Sequence, residues 1–457
     1  MTKHHRYPEA IFLKSFFQGM KDSGIPYAVM RNYETLPFSL GGSDLDILFP
    51  HSKKVEVFRL LDIALYQAGG SVIGKIETKG FSKLFVFGKE SEEWWGMPLD
   101  CFFGIFYFGS SELVDDKLLW NRLTDHNGVS VLPSGTAALL GVLKEVLYND
   151  SLPRRYLLEA RNAVDEDWDV QSKIFSPLGC RALDIFKSLI YLEPGDERVP
   201  LLSKRLRGAV FQEAFRRSPG FYLAGLFMFL FSRARRVVSP QGLTIAILGT
   251  DGSGKSTIIE AITPVLDAAT HGAFRIQHLR PGLFPPLANL FKRKEAQERG
   301  PVTNPHGSRP SGLVGSLFRL SYLLGDYVLG YWLKVRPVIA KSPTIYLFDR
   351  YAYDLEMDPR RFRIRLPVWL LRLATRLVPK PDLIFCLDGD PEIITSRKNE
   401  LPLQEIERQI QFIRAFADRE PKAVLISTTC RVEETRDQVL NALLQYCRER
   451  NSPLKDI

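Results

Sequence analysis

Residues 245–257 read Ile-Ala-Ile-Leu-Gly-Thr-Asp-Gly-Ser-Gly-Lys-Ser-Thr. An apolar stretch runs into Gly249, then Thr250, Asp251, Gly252 and Ser253, and then Gly254, Lys255, Ser256 and Thr257. Glycines at this spacing let successive backbone N–H groups point inward around phosphate oxygens with no Cβ in the way. A helix opening near Lys255 adds its positive end. Lys255 is then placed to reach the β- and γ-phosphates as a mobile cation, and the Ser256 hydroxyl to ligate Mg²⁺. The loop Gly249–Thr257 is therefore the candidate binding site for a nucleoside triphosphate.

Such a loop must sit between a buried strand and a helix, and its flanks supply both. Leu243–Leu248 is apolar throughout, and 257–266 has helical periodicity. Further strands are expected at 344–348, 383–387 and 423–427, alternating with helical stretches, which predicts a parallel sheet covered by helices. The strand ending at Phe348 is followed by Asp349-Arg350-Tyr351. In open α/β sheets ligands bind at the carboxyl ends of strands, where this acid and base emerge.

The loop with Asp251, the Asp349-Arg350-Tyr351 turn and the strand Pro381-Asp382-Leu383 ending in Asp388 together resemble the thymidylate kinase-like family of phosphate-loop kinases. Among its members, the similarity is to the divergent proteins linked to bacterial surface polysaccharides. The resemblance implies ATP and Mg²⁺ as cofactors. It implies that Asp349 and Arg350 contact the acceptor phosphate and the metal-bound phosphates, that Asp251 contacts the acceptor, and that Arg397 and Lys398 belong to a cationic lid. Asp349 joins Ser256 as a candidate metal ligand. Phosphoryl transfer needs cations and in-line positioning more than covalent help, which suits this set. The segment after Tyr351 carries Asp354, Asp358, Arg360, Arg361 and Arg363 where the family has a nucleotide-contacting stretch. The acceptor is accordingly a nucleoside monophosphate or another small metabolite, and the basic cluster either holds an acceptor phosphate, faces an anionic lipid surface or is a solvated helix face. His278 is placed near the acceptor or is a structural histidine.

The first half carries a second constellation, Gly42-Ser43-Asp44-Leu45-Asp46. Carboxylates two apart on a strand point to the same side, as a pair of Mg²⁺ ions requires. Asp100, within the stretch 97–103 that ends a plausible neighbouring strand, is the candidate third carboxylate. This pattern resembles the DNA polymerase beta-type nucleotidyltransferase superfamily, with Met30-Arg31-Asn32-Tyr33 where that superfamily has its Gly-Ser pair. Arg31 and Lys144 are candidate phosphate ligands in its stead, and a tight turn with solvated acids is the alternative.

The chain of 457 residues has 61 Lys and Arg against 52 Asp and Glu, a net charge of +9. That excess suits nucleotides or an anionic membrane surface. No stretch interleaves aromatic and cationic residues as a nucleic-acid module does, so no nucleic-acid partner is expected. Cys101, Cys180, Cys386, Cys430 and Cys447 are scattered, which suggests neither a disulfide framework nor a zinc site, and a cytoplasmic location is expected. The apolar run 221–231 is too short to cross a bilayer but could lie on one.

The expected organisation is α/β: a nucleotidyltransferase-like domain over 1–132, a helical extension and linker over 133–238, and a phosphate-loop NTPase domain with a parallel sheet and flanking helices over 239–457. Residues 292–312 are expected to form a loop or lid. The function expected is ATP- and Mg²⁺-dependent phosphoryl transfer to a small acceptor, fused to a nucleotidyltransferase-like domain that makes an activated precursor for surface polysaccharide. The alternative is an ATP-driven switch in a membrane-associated polysaccharide assembly complex with no small-molecule acceptor. The aromatic run 102–108 is expected to be core. The oligomeric state stays open.

Overall fold

The computed structural model describes residues 7–287, 311–398 and 401–451. The chain divides into two compact units, one of Met1–Arg235 with Asn451–Ile457, the other of Arg236–Arg450. The helical stretch after residue 133 thus clusters with the first unit. The loop expected over 292–312 lies outside the described residues except for its last two positions.

The first unit is built on a seven-stranded mixed sheet. Its strands are β1 (Ala28–Val29), β2 (Leu45–Phe49), β3 (Gly70–Thr78), β4 (Phe81–Glu90) and β5 (Glu93–Phe103), with β8 (Thr124–His126) and β9 (Val129–Val131) at one edge. The short pair β6 (Phe106–Tyr107) and β7 (Ser111–Glu112) stands apart. Strands run in the order β3-β4-β5-β2-β1-β9-β8, so β2 and β5 are adjacent and parallel. Helix Ala10–Ser23 covers one face by burying Phe12, Leu13, Phe16, Phe17 and Met20 at helical spacing, and ends at Gly24 in the left-handed conformation. Helices Ser134–Asn149, Arg154–Ile174, Cys180–Ile190 and Val199–Arg217 enclose a second core with Leu139, Leu143, Phe175 and Phe186 at its centre.

Helix Pro219–Val238 departs from this pattern, because the one residue it buries is Gly225. A Cβ there would stand 2.4 Å from the carbonyl oxygen of Gly109, so only glycine lets the two backbones approach. Its apolar residues Leu223, Phe227, Leu230 and Phe231 face outward. Among the described residues no helix is long and apolar enough to cross a membrane.

The second unit holds a five-stranded sheet of β10 (Leu243–Leu248), β11 (Phe274–His278), β12 (Ile345–Asp349), β13 (Leu383–Asp388) and β14 (Ala423–Ser427). All pairings are parallel, in the order β11-β12-β10-β13-β14. Every residue of β10 is buried, as expected of a central strand covered on both faces. Helix Lys255–Thr270 follows it and packs Ile258, Ile259, Ile262 and Leu266 inward. The strand orders thus give an α/β chain with a parallel, helix-flanked sheet behind the phosphate-loop sequence. The expected strands match within a residue, and the helix Val368–Thr375 starts directly after Pro367.

Asp382 fastens β13 to β10 at the end away from the loop. Its carboxylate accepts from the backbone N–H and the hydroxyl of Thr244, each at 2.8 Å. Thr244 is buried, so removing the acceptor leaves two donors without a partner. Asp382→Ala should destabilise the second unit by about 1–3 kcal/mol, read as a lower urea midpoint with an unchanged slope.

Candidate functional site

The carboxyl ends of the five parallel strands converge on a cavity of about 660 Å³. The loop Asp251–Thr257 forms its floor, with His278, Asp349, Arg350, Arg361, Arg397 and Lys398 around it. The fold therefore gathers the candidate residues of three separate stretches in one place, adding His278 and Arg361. Gly254, with φ of 90°, caps the helix that starts at Lys255, a backbone conformation that a side chain would resist. At Gly249 a Cβ would lie 2.4 Å from Ser253 Oγ, which shows how tightly the loop turns back on itself.

Lys255 is buried and donates to the carbonyls of Gly249 at 2.9 Å and Thr250 at 2.7 Å. Burial and the neighbouring Arg350 charge push its ammonium down to about 7. Asp251 accepts from Arg350 and, at 2.6 Å, from Arg361 Nη1. Burial raises its carboxyl, but the charges of Arg350, Lys255 and Arg361 overcome this and hold it at about 2. Arg350 is itself buried, donates to Asp354 Oδ2 at 2.7 Å, and adopts a φ of 75°.

His278 stands in register opposite Asp349 on the adjacent strand, with Nδ1 3.0 Å from Asp349 Oδ2. Asp349 Oδ1 is buried without a hydrogen-bond partner. That unsatisfied oxygen and the exposed Ser256 hydroxyl on the same cavity wall form a hard-oxygen donor set, which fits Mg²⁺ shared with phosphate oxygens. Thr250 Oγ1 and Ser253 Oγ are also buried and unpartnered. Arg397 and Lys398 are exposed on the rim, and Lys398 Cβ lies 3.1 Å from where a Cβ on Gly252 would stand.

Sequence reasoning did not single out Thr428, Cys430 and Thr435, which complete the wall beyond β14. The rule that ligands gather at strand carboxyl ends applies to that strand too.

In the first unit Asp46 lies in register with Asp100 across β2 and β5. Asp44 sits one residue before the strand rather than on it. Lys83 on β4, opposite Asp100, donates to Asp44 Oδ2 at 3.2 Å and pairs with Asp100 Oδ1 at 3.1 Å. Arg31 donates to Asp46. Burial raises the Asp100 carboxyl against the pull of Lys83. Among the described residues no group of three or more His, Cys, Asp and Glu side chains is disposed to hold a metal ion. Any metal at these acids has to compete with Lys83 and Arg31. Asp46, Asp100, Arg31 and Lys144 line a cavity of about 590 Å³, with Phe102, Phe106 and Phe108 also in its wall. The run 102–108, expected as core, is thus split: Phe103 and Tyr107 are buried, and the three residues between and beside them face the cavity.

No protein-family model matches this chain, and neither does any curated protein. Among solved structures it is similar to the thymidylate kinase of Ehrlichia chaffeensis, at 17% identity and a TM-score of 0.31, over 44% of this chain and 98% of that one. It is similar also to the thymidylate kinase of Candida albicans, at 17% identity and a TM-score of 0.33, over 47% of this chain and 94% of that one. Neither likeness says what this chain acts on.

The lowered Lys255 value has a measurable consequence. At pH 8 much of the ammonium is neutral in the free site, and a bound triphosphate favours the charged form. Triphosphate binding should therefore take up roughly one proton above pH 7 and fewer below it. Calorimetry in buffers of different ionisation enthalpy should show this uptake, and Lys255→Met should abolish it.

Proposed function

We propose that the second unit is an ATP- and Mg²⁺-dependent phosphotransferase acting on a small anionic acceptor, a nucleoside monophosphate or another phosphorylated metabolite. The observation that carries this reading is the clamping of Asp251 between Arg350 and Arg361 in the same cavity as Lys255. Its volume, about 660 Å³, is in the range of small-molecule sites and leaves space beyond the loop for a second ligand. Cations from four places in the chain, Lys255, Arg350, Arg361 and the Arg397-Lys398 pair, line that space.

In this reading the backbone of Gly249–Gly254 and Lys255 hold the β- and γ-phosphates, and Ser256 with Asp349 holds the metal. Bound there, Mg²⁺ would neutralise charge on the phosphate oxygens. An acceptor oxygen attacks the γ-phosphorus in line as the bond to the bridging oxygen breaks and ADP leaves. Arg350 and Arg361, fixed by Asp251 and Asp354, meet the acceptor's phosphate without reorganising. Arg397 and Lys398 approach from the rim and add charge as the transferred group passes.

The first unit extends the reading to a fused nucleotidyltransferase-like activity that makes an activated precursor for surface polysaccharide, motivated by Asp46 and Asp100 standing in register on parallel strands. A second reading is an ATP-driven switch in a membrane-associated assembly complex. The outward apolar stripe Leu223, Phe227, Leu230 and Phe231 beside Arg233 favours it, since a basic amphipathic helix suits an anionic bilayer surface.

Mass-spectrometric product analysis with Mg²⁺, ATP and a panel of nucleoside monophosphates, sugars and sugar phosphates tests the first reading. A phosphorylated acceptor should form with the unmodified chain and disappear with Lys255→Ala. Arg361→Gln should raise the acceptor KM about tenfold or more, as expected for losing one charge-assisted hydrogen bond, with little change in the KM for ATP. ADP release without any phosphorylated acceptor, together with sedimentation on phosphatidylserine vesicles that Phe227→Glu abolishes, would instead establish the switch. Loss of a nucleotidyl product in Asp46→Asn with Asp100→Asn, with phosphoryl transfer intact, is the result expected if the first unit is active.

A further inference from the structure

The arginine-rich stretch beyond Tyr351 divides in the second unit. Arg361 turns into the cavity to meet Asp251, while Arg360, Arg365, Arg372 and Arg376 are exposed to or partly share the surface. Residues 360–380 hold seven cations, Arg360, Arg361, Arg363, Arg365, Arg372, Arg376 and Lys380, and no acid. The acids on either side do little to offset them: Glu356 and Asp358 are buried, and Asp382 accepts from Thr244. Arg372 shares Glu356 with Arg419, and Lys380 pairs with Glu420. Among the described residues the side chains of Arg360, Arg365 and Arg376 have no carboxylate in reach, so this part of the surface is positive.

The same stretch carries apolar side chains that the fold leaves outside. Helix Val368–Thr375 packs inward through Leu371 and Ala374, which join Leu320 and Leu323 of helix Leu313–Gly330 in one core cluster. On its opposite side stand Trp369, Leu373 and, in the turn that follows, Leu377, at steps of four and 66%, 51% and 68% exposed. Arg372 and Arg376 alternate with them on that side. The centre of a protein–protein interface is poor in charge, with charged groups at its rim, whereas here arginines stand between the apolar residues. A second copy of the chain would also bring the same arginines face to face, which like charges oppose. An anionic bilayer takes the mixture as it stands: guanidinium groups meet lipid phosphates, an indole lies at the head-group level, and leucines reach the acyl boundary.

We infer that residues 365–377 form a docking surface of the second unit for an anionic lipid bilayer, with Trp369, Leu373 and Leu377 entering the interface and Arg365 and Arg376 at the head groups. The surface uses no residue of helix Pro219–Val238, and it holds whether or not the second unit transfers phosphate.

The test is co-sedimentation of the full chain carrying Phe227→Glu, which spoils the apolar stripe of helix Pro219–Val238, with vesicles of phosphatidylcholine alone or mixed with phosphatidylserine. The chain should bind only the mixed vesicles and bind them less as salt is raised. Arg365→Gln with Arg376→Gln should weaken binding roughly thirtyfold, about fivefold for each cation removed from an anionic surface. Trp369→Ser with Leu373→Ser should weaken it about tenfold or more through lost apolar burial. All four side chains are exposed, so an unchanged urea midpoint should show that folding is intact. Binding that Phe227→Glu already abolishes, equal binding to phosphatidylcholine alone, or unchanged binding in either double variant would overturn the assignment. So would a dimer that Trp369→Ser with Leu373→Ser dissolves in a chain that binds no vesicle, which would mark the face as a contact between copies.

Discussion

The buried guanidinium of Arg350 is the constraint on which the second unit's site depends. It costs energy in two ways: a charge taken out of water loses several kcal/mol unless matched, and a non-glycine residue in the left-handed region loses about 1–2 kcal/mol. Both are met here, with Arg350 3% exposed and at a φ of 75°. Asp251 from the phosphate loop and Asp354 from the turn beyond β12 supply the compensating charge. One side chain therefore ties the floor of the cavity to its wall. The unusual backbone conformation follows from that task, since it turns the chain sharply at the end of β12 and aims the side chain back toward the loop.

The same pairing sets the electrostatics of everything nearby. Asp251 stays ionised because three cations surround it, and Lys255 loses its charge easily because it is buried and because Arg350 supplies positive charge close by. Asp251, Asp349 and Asp354 thus stand against Arg350, Arg361, Lys255, Arg397 and Lys398, so the cations exceed the acids around the cavity. At an effective dielectric near 20 each unit charge about 4 Å away is worth about 4 kcal/mol. Such a field suits phosphate, and Asp251 pairs with both arginines at its edge.

How much of this could be read from the sequence depended on how local each constraint is. The loop Gly249–Thr257 was legible because backbone wrapping around phosphates dictates consecutive residues. Asp349 and Arg350 were legible because strand ends are where such sheets present side chains. The partnership of Arg361 with Asp251 was not, since it crosses 110 positions through an irregular turn. Nor was the match of His278 with Asp349, which exists because β11 and β12 lie side by side in register. In the first unit Asp44 and Asp46 were picked out by their spacing, although Asp44 precedes the strand, and Asp100 as the acid of another strand-like stretch; Lys83 was missed because it sits on β4, whose pairing with β5 no local pattern reveals. The aromatic run 102–108 misled for a related reason: hydrophobicity alone does not distinguish a side chain that fills a core from one that lines a cavity.

The two cavities use the same kinds of residue to opposite effect. In the second unit the cations outnumber the acids around the cavity, so charge is the property that would select a ligand. In the first, Asp44, Asp46 and Asp100 are largely cancelled by Lys83 and Arg31, and a largely buried acid cluster so neutralised exerts little long-range pull. What distinguishes this cavity is apolar area from Phe102, Phe106 and Phe108. Burial of hydrocarbon is roughly proportional to area and indifferent to salt, whereas attraction into the second cavity falls as ionic strength rises. The two cavities thus differ in what could select a ligand, charge in one and apolar area in the other, and salt dependence is the physical property that would separate them.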